Sequence, residues 1–127
     1  MNQMQTSAVQ LRPKLLDELL YLAKIPSSIG HKSGIKSVTK YVEKELISLG
    51  FQNLSYIKSL PPKYAPTLIA QSNPEASLKI ILVCHADTVV APASSIDFVI
   101  DNDILEGPGV ADNKGGIVVL LESLRRM

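Results

Sequence analysis

An unbroken apolar run, Ile80-Ile81-Leu82-Val83-Cys84, leads directly into His85-Ala86-Asp87-Thr88-Val89. Further along, Gly107-Pro108-Gly109-Val110-Ala111-Asp112-Asn113-Lys114-Gly115-Gly116 opens an apolar helix. The span Leu78–Cys84 has no polar alternation, the pattern of a strand buried on both faces of an α/β sheet. Side chains just past the end of such a strand occupy the usual ligand position of that fold class. The two strings therefore put one imidazole and two carboxylates at element ends, where a rigid scaffold can hold a metal.

The rest of the chain agrees with a single layered α/β domain. Its 127 residues are 46% hydrophobic, enough for one buried core. Two helical stripes come first. Leu15, Leu19 and Leu22 mark a helix over Leu11–Ala23, with Pro13 suited to its first turn and Pro26 ending it. After a loop over Pro26–Lys32, residues Ile35, Val38, Val42, Leu46 and Leu49 line a helix over Gly34–Leu49. Ser33 is the expected N-cap and Gly50 the expected left-handed terminator.

Strands are expected over Phe51–Lys58, Thr67–Gln71 and Leu78–Cys84. Pro61, Pro62 and Pro66 lie in an irregular connection, and Ser72-Asn73-Pro74 forms a turn. Ala91–Ser95 reads as loop. Phe98–Ile100 and Ile104-Leu105 form a hairpin around Asp101-Asn102-Asp103. A last helix runs over Lys114–Arg126, with Ile117, Leu120, Leu121 and Leu124 inward and Arg125 and Arg126 at the end that favours cations.

Charge and composition exclude several classes of function. Lysine plus arginine (13) balance aspartate plus glutamate (12), so no global field favours nucleic acid or a membrane surface. Four tyrosines, two phenylalanines and no tryptophan offer no base-stacking platform. The polar stretch Met1–Gln10 lacks the basic and apolar regions of a signal peptide, and no run reaches the roughly 20 apolar residues of a membrane span. A cytoplasmic location is the default expectation. Cys84 is the single cysteine, so there is no disulfide framework, and its apolar setting reads as an inert core thiol.

His85 and Asp87 stand at positions i and i+2 of extended chain and face one space. A carboxylate so placed can fix the tautomer and orientation of a ligating imidazole. Alone, the pair is a weak signal, because an isolated histidine beside a strand is far more often an ordinary hydrogen-bonding side chain than a metal ligand. Asp112 precedes the last helix, where an isolated aspartate would simply cap the helix and Lys114 would be a solvated charge. A dinucleotide fingerprint would need glycine where Asp112 stands, and a P-loop would need its lysine after the glycines, so both nucleotide templates fail. Imidazole and carboxylate donors suit zinc, and also cobalt or manganese, whereas a lone cysteine excludes a thiolate site. Two ions sharing a carboxylate would activate water for amide or ester hydrolysis.

From about Leu15 to Arg126 the chain resembles the zinc-dependent metallopeptidase family of carboxypeptidase G, acetylornithine deacetylase, succinyl-diaminopimelate desuccinylase and aminoacylase. The resemblance rests on the two strings above, on Ile25-Pro26-Ser27 and on the Leu49-Gly50-Phe51 junction. Pro108 is most like the carboxypeptidase G branch, because many deacylases of the family carry arginine there.

By position, the resemblance implies that His85 is a ligand of one zinc and Asp112 the carboxylate bridging two. Asp87 would be the catalytic-assist aspartate, and the Asp112–Asn113 peptide bond would be cis. Lys114, Gly115 and Gly116 would be structural. The family's general-base glutamate, its other acidic ligands, its late histidine and its lid or dimerisation domain have no counterpart in these residues.

The chain is therefore expected to be the N-terminal part of a di-zinc exopeptidase catalytic domain, inactive alone. The parent protein would hydrolyse a peptide or N-acyl amide bond beside a free carboxylate, with a C-terminal glutamate-like residue favoured, and the resemblance allows a homodimer through the missing domain. The other reading is a non-catalytic remnant of the fold that binds a partner chain or serves a structural role.

Overall fold

The computed structural model describes residues 3–61, 64–89, 98–101 and 104–127, with backbone only for 3–11. The expected Ala91–Ser95 loop, Pro62 and the Asn102-Asp103 turn lie outside these residues. Among the described residues, three helices and two small antiparallel sheets make an α/β domain, in the order α1 (Gln3–Ala23), α2 (Lys32–Ser48), β1 (Asn53–Ile57), β2 (Thr67–Gln71), β3 (Val99–Asp101), β4 (Ile104–Glu106) and α3 (Gly115–Arg125). Helix α1 begins before Leu11, so Pro13 lies inside it rather than in its first turn. None of the described helices is long and apolar enough to cross a membrane.

Helix α2 follows its apolar stripe, burying Ile35, Val38 and Leu46. Its end is set locally. Gly50 takes φ +88°, and the amides of Gly50 and Phe51 bond back to the carbonyls of Ile47 and Leu46 at 3.0 Å. These two bonds satisfy carbonyls that the helix leaves without partners. The N-cap differs from expectation. His31 fills the position, its Nδ1 accepting from the Gly34 amide at 3.2 Å, because α2 starts at Lys32 and encloses Ser33.

Strands β1 and β2 pair with Ser55 opposite Ile69, and β2 turns Leu68 and Ala70 toward the core. That core is Leu22 of α1, Val38 and Leu46 of α2, and Ile117, Val118 and Leu121 of α3. Each such side chain withdrawn from water contributes about 1.5–3 kcal/mol before entropic costs.

The expected central strand is not realised. Residues 78–87 join no ladder among the described residues. Leu78 (80%), Ile81 (84%) and Val83 (82%) stay exposed, as does Cys84, which is no core thiol. A strand buried on both faces needs hydrogen-bonding neighbours and covering layers. The two hairpins described here pair internally and supply neither.

Candidate metal-binding site

The segment following the apolar run is held by the loop between α1 and α2. The Thr88 amide donates to Ser27 O at 2.9 Å, and the Ile29 amide donates to Thr88 O at 3.1 Å. Thr88 is buried and bridged in parallel to Ser28. This single bridge lies beyond Cys84, where the expected strand ends.

The second string forms a tight turn over 110–114 that leads into α3. Of the two glycines that flank it, only Gly109 is demanded by its dihedral angle as well as by space. Gly109 has φ +72°, and a Cβ there would come within 2.5 Å of Thr88 Cγ2. A Cβ on Gly116 would meet the end of the Asn113 side chain. Asp112 and Asn113 leave helical dihedrals, and the peptide bond between them is cis, as the resemblance implied.

This turn brings Asp112 to His85 across 27 positions, with Nε2 and Oδ1 at 2.8 Å. The N-cap position of α3 is taken by Lys114 rather than Asp112, whose carboxylate is engaged with His85. On the other side of the ring, Nδ1 lies 3.0 Å from Asp87 O and 3.4 Å from Asp87 Oδ1. A carbonyl oxygen only accepts, so Nδ1 carries a proton and donates to it. Nε2 also faces an acceptor. The Nε2–Oδ1 contact is therefore satisfied by a proton or by another cation in the same place. Burial pulls the His85 pKa down, but the Asp112 hydrogen bond, the Asp87 backbone contact and both carboxylate charges outweigh it and hold it above 6.5. The site is open, with the side chains of His85 and Asp112 47% and 73% exposed.

Lys114 departs most from its sequence reading. It is 2% exposed rather than solvated, and its ammonium donates to Ile25 O. Burial lowers its pKa. The loop 25–29 and Lys114 therefore support the site without lining it. The only sequence sign of this was that Ile25-Pro26-Ser27 and Lys114 both belong to the strings that carry the resemblance. His31 contributes a cap to α2 and takes no part in the pairing of His85 with Asp112. Among the described residues no three histidine, cysteine or acidic side chains gather where a metal could sit.

No family model matches the chain. It is 28% identical over 121 residues to carboxypeptidase G2 of Pseudomonas sp. (strain RS-16), over 94% of this chain and 29% of that protein. The chain thus spans less than a third of the length of this relative, and it is a distant, partial relative of a carboxypeptidase.

Proposed function

We propose that the chain is the N-terminal portion of the catalytic domain of a di-zinc metallohydrolase. The whole protein would cleave a peptide or N-acyl amide bond beside a free carboxylate, and this portion would be inactive by itself. One observation carries the reading: His85 Nε2 and Asp112 Oδ1 converge at 2.8 Å while Nδ1 is turned away to Asp87. An imidazole held by its far nitrogen, with its near nitrogen on a carboxylate, is an arrangement suited to a cation. The partial likeness to carboxypeptidase G2 supports the same direction.

The residues fit the start of a zinc shell. An imidazole nitrogen and a carboxylate oxygen facing each other are donors that zinc accepts. His85 and Asp112 would hold the metal, with Asp112 bridging toward a second ion through its exposed carboxylate. Bound zinc supplies Lewis acidity, lowering the pKa of a coordinated water and polarising a substrate carbonyl. Asp87 keeps the proton on Nδ1, which leaves Nε2 as the donor atom. A catalytic zinc takes three protein ligands, so the remaining donors and the general base would come from outside these residues. The exposed apolar stretch 78–83 is where the rest of such a domain would pack.

A second reading is a non-catalytic remnant that binds a partner chain or serves a structural role. The two readings differ in whether the rest of the protein supplies the remaining donors and the general base.

Calorimetric zinc titration, paired with an assay on a dipeptide ending in glutamate, tests the proposal. Weak zinc binding that His85→Ala and Asp112→Ala each abolish, with no hydrolysis, is the expected result. Zinc binding indifferent to both substitutions would remove the site. Zinc-dependent turnover lost in His85→Ala would show that this portion is active alone.

A further inference from the structure

Lys114 is the largest of the fully buried side chains, yet its ammonium faces a carbonyl and no carboxylate pairs with it among the described residues. Withdrawing a cation from water for one neutral acceptor is costly, and a methionine would fill the same space without that cost. Packing alone does not account for the charge. Exposure of 2% also leaves no route for Lys114 to act as a nucleophile.

The acceptor is Ile25 O, and the same loop holds Thr88 through Ser27 O and the Ile29 amide. Thr88 follows Asp87, whose carbonyl holds the His85 ring. Lys114 follows Asp112 by two residues, and its amide bonds Gly109 O at 3.0 Å to close the turn. A Cβ at Gly109 would meet both Thr88 and the Lys114 stem, so these three residues are in close packing. One short loop therefore carries both halves of the site, the half after the apolar run through backbone bonds and the Asp112 half through a single buried ammonium.

We propose that Lys114 is a positioning residue whose ammonium, by binding Ile25 O, sets the contact between His85 and Asp112. Its consequence for metal binding rests on the functional reading above, but the contact itself can be followed without metal. In the Lys114→Met chain the helical circular dichroism should match the parent, while the ring nitrogen resonances of His85 lose the signature of an Nε2 bonded to a carboxylate. Affinity for zinc alone should fall about tenfold, as for other groups that orient a ligand.

Rescue uses Lys114→Cys in a Cys84→Ser background, alkylated while unfolded with 2-bromoethylamine and refolded. Restoring the ammonium should restore both signals. If Lys114→Met does not fold, Lys114→Leu decides: a side chain with no donor that keeps full zinc affinity and unchanged ring signals would overturn the proposal. So would a folded Lys114→Met chain with both signals intact. Absence of zinc binding in the parent would remove the metal reading, leaving the ring signals to judge Lys114. Zinc binding equal in parent and variant would remove the Lys114 proposal alone.

Discussion

Arg125 grips Glu18 with both terminal guanidinium nitrogens at 2.8 Å, joining α3 to α1 across 107 positions. Glu18 also accepts from Tyr41 Oη at 2.8 Å, and Arg125 reaches Glu45 at 2.7 Å, so all three helices meet at one ion network. The Glu18 side chain is only 6% exposed. Burial pushes its carboxyl pKa up, but the bonds from Arg125 and Tyr41 prevail and hold it below 4.5.

A carboxylate with a depressed folded pKa stabilises above its unfolded pKa, and that stability is lost as pH falls through the folded value. The chain should therefore lose stability on acidification below about pH 4.5, near the free glutamate value. Glu18→Gln should cost about 1.5–3 kcal/mol at pH 7, the worth of hydrogen bonds to a charged group, and should flatten the acid limb. Thermal unfolding followed at pH 7 and pH 3.5 in both proteins checks this. Parallel acid limbs would mean that Glu18 does not carry the linkage.

Leu121 is wholly buried in the helical core and Val119, two residues earlier, is 65% exposed. Leu121→Ala should cost about 2–5 kcal/mol, because transfer and cavity terms add. Val119→Ala should stay within about 0.5 kcal/mol. Urea denaturation of the two variants separates the values.

Gly109→Ala and Gly116→Ala should differ in a particular order. At Gly109 an alanine meets a left-handed φ and the Cβ-branched Thr88 together, and should cost at least about 1 kcal/mol. At Gly116 the obstacle is the end of the Asn113 side chain, which can rotate away. The Gly109 variant should also be the poorer zinc binder. Equal destabilisation, measured by urea titration, would count against the packing of the turn on Thr88.

Asp87→Ala should weaken zinc binding by about tenfold, at the low end for a ligand-orienting group. The carbonyl of residue 87 stays in place and is nearer to Nδ1 than the carboxylate, at 3.0 Å against 3.4 Å. Asp112→Ala should abolish binding. Calorimetry showing equal loss in the two variants would make Asp87 a direct ligand.

The sequence alone determined the elements whose cause is local. The apolar period of α2, the Gly50 terminator and the span of β2 all lie within a few residues of the signal that announces them. The pattern of chemistry-bearing residues was also legible: His85 and Asp112 belong to strings whose resemblance implied that they meet. Tertiary structure decided the rest. The run 78–84 reads as a buried strand, but strand formation depends on neighbours that no local pattern supplies, and here it stays exposed. Cys84 follows it into solvent. Lys114 reads as a surface charge, because nothing adjacent in sequence reveals that Ile25 O will lie over it. His31 displaced Ser33 as a cap once the helix began earlier. Burial and distant pairing are properties of the assembled chain, so residues whose roles depend on partners tens of positions away become readable only when the fold places those partners.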